Sequence, residues 1–389
     1  MNNSLIKAVL ITTFFFYPDN TPRSFRITSL ARKFIENGYQ VTLLTRYDCD
    51  KSLLPKELKD INIIGLSKRP LEVMALNSSP NDIGTGKRVV KNLKTFVRKL
   101  ILYFIPDGHK LPYAFKLASR LKGLNLEDFQ VIISNSNPFV VHLGTSMALR
   151  SKRYRGISIA ETGDPYFYSQ FKLAFYQKYI EKNVLKTFKY ITVPLESAVD
   201  DYANFNLKDK VKVIPHGFYF DDIKLEPFNK SNVVRFAFAG RLYKDIRNPT
   251  SFLSFLESNC KNLNFEFHIY TDSKNKETME ILYPWSKVFD GKLVIHDLLS
   301  RDDCIKVLSQ MDFLINFCND TTNQSPSKII DYVLSNRPFI SISNAFLDLE
   351  KERFIKFLSS NYSDYIPQDI SKYNINSVFK LFEEIINCA

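Results

Sequence analysis

Two doubly wound α/β domains are predicted for this chain, on three observations. Short β-branched runs bounded by turn residues alternate with helical patterns through both halves. Such runs suit interior parallel strands, which helices cover on both sides. At 389 residues the chain also exceeds the usual single-domain size, so two domains of roughly 150–200 residues are expected.

Taken in order, Ala8–Phe16 reads as the first strand. Arg23–Asn37 reads as a helix, with Phe25, Leu30, Phe34 and Ile35 apolar and Gly38 as its stop. Gln40–Thr45 and Ile61–Leu66 follow as strands. Val131–Ser134, Gly156–Ala160 and Tyr190–Val193 are further interior strands, and a long helical stretch covers Phe171–Lys189. Val211–Gly217 reads as a boundary: a strand closes at Pro215-His216-Gly217, and the polar Asp221–Ser231 leads into a new one. The second half then supplies Val233–Ala239, Phe265–Tyr270, Leu293–Ile295, Phe313–Phe317 and Phe339–Ile342. The expected domains are residues 1–215 and 216–370, with a helix in 371–389 returning toward the first. A cleft between the strand carboxyl ends is where such sheets bind ligands.

The net charge of +12 is unevenly spread. Residues 1–215 hold 33 lysines and arginines against 18 aspartates and glutamates, a balance of +15. The remainder hold 20 against 23, a balance of −3. A field that one-sided suits an anionic partner for the first half: a phospholipid surface, a lipid-diphosphate acceptor or nucleic acid. Residues 87–104 carry six basic residues and no acid. Val90, Leu93, Val97, Leu100 and Phe104 fall on one helical stripe, with Lys87, Lys91, Lys94 and Arg98 largely off it. This is either a core-packed helix with a solvated basic face or a segment that rests on an anionic membrane.

Cys49, Cys260, Cys304, Cys318 and Cys388 are scattered and odd in number, which argues against a disulfide framework and fits a reducing compartment. The apolar run Val9–Tyr17 ends at Pro18-Asp19-Asn20 without a small-residue cleavage site, so a buried strand is expected there rather than a signal peptide. No stretch approaches the roughly 20 apolar residues a membrane span needs. A cytoplasmic protein follows, peripheral on the inner membrane face.

The densest chemistry lies in Ser325-Pro326-Ser327-Lys328-Ile329-Ile330-Asp331-Tyr332. A loop delivers Ser and Lys to a helix start, where free N–H groups and the helix dipole suit phosphate. Lys328 adds a positive charge there. Asp331 lies a turn further on, where a carboxylate accepts hydrogen bonds from ribose hydroxyls. An ordinary helix capped by Ser327 is the plainer alternative.

This segment resembles the Pro-Ser-Lys-x-x-Glu-Tyr motif of family-4-like GT-B glycosyltransferases, and the likeness extends in order along nearly the whole chain. The strand–loop–helix from Phe15 to Arg26, with Asn37-Gly38-Tyr39 after it, is similar to the family's opening. Asn20-Thr21-Pro22 stands where the family has paired glycines. Ile214-Pro215-His216-Gly217 resembles the family's Ile-Pro-Asn-Gly signature, and Phe238-Ala239-Gly240-Arg241-Leu242 its Gly-Arg strand end.

The resemblance implies a GT-B enzyme of two Rossmann-like domains facing a cleft. It would be a retaining transferase for a nucleoside-diphosphate sugar, acting on a lipid-linked glycan in cell-surface polysaccharide synthesis. It implies Arg241 on the donor diphosphate, joined by Lys328 and by either Lys244 or Arg247. Asn323 (glutamate in many relatives), Gln324, Ser325, Pro326, Ser327 and Asp331 would complete the donor site. On the acceptor side it points to Asn20, Arg26, His142 and Asp164, the last as the group that orients or deprotonates the acceptor hydroxyl. Three of these keep plainer alternatives: a solvated helix arginine for Arg26, a packing histidine for His142, a turn aspartate for Asp164. Neither a metal nor a cofactor is expected beyond the donor itself. A DNA-modifying transferase, an inactive GT-B-like partner subunit and a nucleotide-sugar epimerase remain as other readings, with nucleic acid disfavoured as partner.

Overall fold

In the computed structural model, residues 7–19, 21–68, 97–163, 165–167, 173–318 and 327–388 are described. The chain forms two compact units. One comprises Met1–Phe218 with Lys372–Ala389; the other is Tyr219–Ser371.

The first unit holds a seven-stranded sheet. Its strands are β1 (Ala8–Thr12), β2 (Gln40–Thr45), β3 (Asn62–Gly65), β4 (Val131–Ser136), β5 (Ile157–Thr162), β6 (Tyr190–Val193) and β7 (Val211–Val213). They are all parallel, in the order β3-β2-β1-β4-β5-β6-β7. Its helices include α1 (Pro22–Glu36), α2 (Leu111–Lys122), α3 (Val140–Lys152), α4 (Tyr176–Leu185), α5 (Val199–Ala203) and, from the far end of the chain, α11 (Ile375–Asn387).

Side-chain alternation along the strands feeds two separate cores, one on each face of the sheet. Leu10, Ile132, Ala160 and Ile191 pack on one side. Val9, Ile11, Ile133 and Ile159 pack on the other. The second core takes in α11: Phe379 sets its ring edge-on to Phe34 of α1, with centroids 5.1 Å apart. Backbone bonds between Phe218 and its partners Tyr373 and Ile375 fasten the returning segment just before that helix.

The second unit repeats the plan with β8 (Val234–Ala239), β9 (Phe265–Tyr270), β10 (Leu293–His296), β11 (Phe313–Phe317) and β12 (Phe339–Ile342). The five strands are parallel, in the order β10-β9-β8-β11-β12. Helices α6 (Thr250–Cys260), α7 (Lys276–Val288), α8 (Arg301–Leu308), α9 (Ser327–Leu334) and α10 (Asp348–Leu358) accompany them. One face is built from phenylalanines: Phe236 stacks on Phe267 and Phe313 at 4.8 and 4.9 Å.

Two expected elements differ in extent. The first strand stops at Thr12 rather than Phe16: Thr13 still bonds Leu44 O, but Phe14 then turns its ring against Tyr113. The helix expected over Phe171–Lys189 spans only Tyr176–Leu185. Of the basic stretch 87–104, residues 97–104 are described and are helical, with Val97, Leu100 and Phe104 exposed rather than packed. Residues 87–96 lie outside the described residues.

Candidate functional site

In each sheet the chain leaves a central strand in one direction and returns on its other side. The switch falls between β1 and β4 in the first unit and between β8 and β11 in the second. Crevices at the strand carboxyl ends beside such points are where these sheets bind ligands.

In the second unit, β8 and β11 pair only through Phe236–Phe313 and Ala237–Leu314, then part. The Tyr332 hydroxyl spans the gap: it receives a bond from Ala239 N at 3.1 Å and donates to Ile315 O at 2.9 Å. This pins α9 to both strands and fixes where Lys328, one turn earlier, must point. The Lys328 Nζ is enclosed and has no hydrogen-bond partner among the described residues. It lies 4.6 Å from the centre of the Phe238 ring. It reaches that position because residue 240 is glycine, with φ +144°; a Cβ there would overlap the ammonium.

Burial pushes the Lys328 amine well below the usual lysine range, and the positive charge of Arg247 pushes it further. Arg247 arrives through a short reversal in which Tyr243 and Arg247 exchange backbone bonds, and its Nη1 also bonds Arg241 O at 3.1 Å. Asp331, already engaged by Arg301, offsets this only in part, and a buried ammonium with no hydrogen-bond partner among the described residues, beside a guanidinium, is costly unless an anion joins it.

The other donor-side residues differ. Arg241 is exposed and pairs with Asp272 at 3.1 Å. Lys244 is exposed and pairs with Glu280 at 2.9 Å, so of the two candidates for the accompanying cation it is Arg247 that stands beside Lys328. Asp331 receives the Arg301 Nε at 2.7 Å, which engages its Oδ1. Ser327 opens α9. Asn323, Gln324, Ser325 and Pro326 lie outside the described residues.

On the acceptor side, Arg26 is not solvated. It is 7% exposed and forms an ion pair with Glu161, which is fully buried at the end of β5. His216 Nδ1 also meets Arg26, and Asn135 bonds the other Glu161 oxygen. Asn135 in turn accepts from Thr13 Oγ1 at 3.3 Å, which ties the ends of β1, β4 and β5 together. The sequence reading placed the acid at Asp164, which lies outside the described residues along with Asn20. The buried acid at the end of β5 is Glu161. Its signal was a charged residue inside the apolar run Ile157–Thr162, where a carboxylate needs a partner.

His142 is an interior residue of α3 rather than a ligand-facing one. It is 1% exposed, and its ring nitrogens meet Ser134 Oγ at 2.8 Å and Thr162 Oγ1 at 3.2 Å. Burial lowers its pKa to about 3, so it stays neutral. Glu181 anchors the loop that follows β5, accepting from Tyr166 N and Phe167 N at 2.8 and 2.9 Å.

Among the described residues no group of three or more His, Cys, Asp or Glu side chains is placed to hold a metal ion. None of their helices is long and apolar enough to cross a membrane. No disulfide joins the five cysteines.

No protein-family model matches the chain, and no curated protein matches its sequence. Solved structures do match. The lipopolysaccharide outer core galactosyltransferase WaaB, in its apo form, superposes with a TM-score of 0.60 at 11% identity, over 98% of this chain and 99% of that one. TarM superposes with a TM-score of 0.63 at 10% identity, over the whole of both chains. The UDP-GlcNAc 2-epimerase of Neisseria meningitidis, bound to UDP-GlcNAc, gives a TM-score of 0.57 at 12% identity, over 99% of this chain and all of that one. The chain has the GT-B fold, two parallel α/β domains in sequence.

Proposed function

We propose that this protein is a glycosyltransferase that moves a sugar from a nucleoside-diphosphate sugar to a lipid-linked glycan acceptor, in the building of a cell-surface polysaccharide. The observation that carries the reading is the enclosed, unpartnered Lys328 Nζ beside Arg247 at the switch point of the second sheet. Departure of a nucleoside diphosphate leaves negative charge on the bridging oxygen. Preorganised cations in a water-poor crevice stabilise that charge more in the transition state than in the ground state. Lys328 and Arg247 supply it from this chain's own side chains, and Arg241 closes over the diphosphate after leaving Asp272. In this reading no metal takes part, and the donor sugar keeps its configuration, as the likeness to family-4-like enzymes implies. Asp331 holds the ribose through the oxygen that Arg301 leaves open.

The acceptor binds the N-terminal unit, whose charge balance of +15 suits a lipid phosphate. Exposed Leu100, Ile101, Phe104 and Phe175, with Arg98 and Lys99 beside them, would rest on an anionic membrane at its cytoplasmic face.

The test is turnover of donor followed by mass spectrometry, in the presence of membrane lipid extract. Lys328→Ala should lower kcat by about a hundredfold or more with the melting temperature kept. EDTA should leave activity unchanged. Near-normal turnover in Lys328→Ala sinks the donor-site assignment, and activity lost to EDTA and restored by Mn²⁺ sinks the metal-free mechanism. An epimerase shares this fold; conversion of the free donor to its epimer, with no transfer, would select that reading instead.

A further inference from the structure

The N-terminal unit contains a second cationic place, apart from the Arg26–Glu161 network. It is a cavity of about 240 Å³ at the carboxyl ends of β1, β2 and β3. Phe14 and Tyr113 form its floor, with ring centroids 4.9 Å apart, and the Tyr113 hydroxyl is fastened to Thr13 O at 2.7 Å. Arg46, His109, Lys110 and Lys116 line its wall. Arg46 lies over the rings of both Phe14 and Tyr47, at 4.7 and 4.4 Å from their centres. Lys110 lies over Phe14 at 5.5 Å.

No ion pair to Arg46, Lys110 or Lys116 occurs among the described residues, and no acid lines the cavity. The Asp107 carboxylate, whose charge acts on Lys110, lies outside the lining and accepts Val140 N at 2.7 Å at the start of α3. The positive charges act on one another: burial and then Arg98, Lys110 and Arg46 lower the His109 pKa. Cations gathered on an aromatic floor, without carboxylates, are arranged for an anion rather than for folding.

We propose that this cavity binds a phosphate group carried by the acceptor substrate, with the attached sugar or alcohol lying against Phe14 and Tyr47. The cavity is smaller than the 300–1,000 Å³ or so typical of whole-ligand pockets, so it takes one end of a larger molecule. Arg46 offers the planar donor fork that suits phosphate, and Lys110 adds a point charge. Three lysine and arginine charges exceed what a single carboxylate neutralises, and a phosphate ester carries up to two. The phosphate belongs either to a lipid headgroup or to a phosphorylated glycan. The assignment of this phosphate to an acceptor rests on the transferase reading above; the binding itself does not.

The probe is inorganic pyrophosphate, titrated calorimetrically into the full chain. Lys328→Met removes the proposed donor site, and one pyrophosphate site should remain. Adding Arg46→Gln and Lys110→Gln to that background should weaken the remaining binding by about tenfold or more, since charge-assisted bonds are lost. Unchanged affinity in the triple variant, or no binding at all in Lys328→Met, overturns the proposal. Lys116→Gln, an exposed position on α2, gives a variant with little risk to the fold and should weaken binding a few-fold; unchanged affinity in it, should the triple variant fail to fold, also overturns the proposal. Vesicles containing phosphatidylglycerol separate the sources. Loss of both vesicle and pyrophosphate binding in Arg46→Gln/Lys110→Gln marks a lipid headgroup, and loss of pyrophosphate binding alone marks a glycan phosphate. If no nucleotide binds the protein yet the cavity behaves as described, the transferase reading fails and the phosphate site stands.

Discussion

Lys328 is buried with its Nζ lacking a hydrogen-bond partner among the described residues. Its amine is lowered well below the usual lysine range by burial and by Arg247, so part of the free protein carries it neutral at alkaline pH. Binding of a diphosphate restores the charged form, which requires a proton. Nucleoside-diphosphate binding should therefore take up protons and tighten as pH falls from the alkaline side. Calorimetry in buffers of different ionisation enthalpy reads this directly, and Lys328→Met should abolish the uptake. Gly240→Ala places a methyl where the ammonium lies, at a φ that L-residues rarely adopt, and should weaken nucleotide binding by tenfold or more, about the loss of one charge-assisted bond, and lower the melting temperature as well. Lys328 and Gly240 were legible in the sequence as parts of short patterns. The choice between Lys244 and Arg247 was not, because it depends on a backbone reversal that brings residue 247 back over residue 241. Arg26 was legible as a position but not as half of a buried pair with Glu161, 135 residues away.

Strands and helices were legible where burial on both faces leaves a run of apolar residues, as in β4 and β11. They were less so at ends, where one contact decides: Phe14 leaves the first strand to pack on Tyr113. At this scale Tyr332 joins α9 to the parted strands, and Tyr332→Phe leaves a backbone donor and acceptor without their partner. The variant should lose about 1–3 kcal/mol by chemical denaturation and raise the KM for donor. Glu181 of α4 supplies a pH signature. Burial pushes its carboxyl up to about 7, against about 4.3 in an unfolded chain. The folded protein holds this proton more tightly than the unfolded chain, so the contribution is full below the unfolded value and is lost as pH rises through the folded one. Stability should fall between about pH 4.5 and 7, and Glu181→Gln should flatten that part of the curve relative to wild type. An equal slope in the variant would assign it to other groups.

Across the whole chain, two parallel-sheet units were predictable from the order of elements, since each α/β repeat buries its strands locally. That the last helix belongs to the first unit rests on ring contacts between Phe379 and Phe34, which are 345 residues apart and carry no local signal. Phe379→Ala should cost about 3–5 kcal/mol and lower the melting of the N-terminal unit, leaving the second unit's transition in place. The uneven charge, by contrast, was plain in composition, and it is the ground on which an anionic acceptor is proposed for the first unit. Most depends on the proposed donor site of the second unit. The measurement that tests it most directly is the melting temperature of wild type and Lys328→Ala with UDP, GDP, CMP and dTDP and their sugar conjugates. A ligand that binds only the folded state raises that temperature. One base family should stabilise the wild type and leave Lys328→Ala unmoved. Equal stabilisation of both proteins, or none of the wild type by any nucleotide, would contradict it.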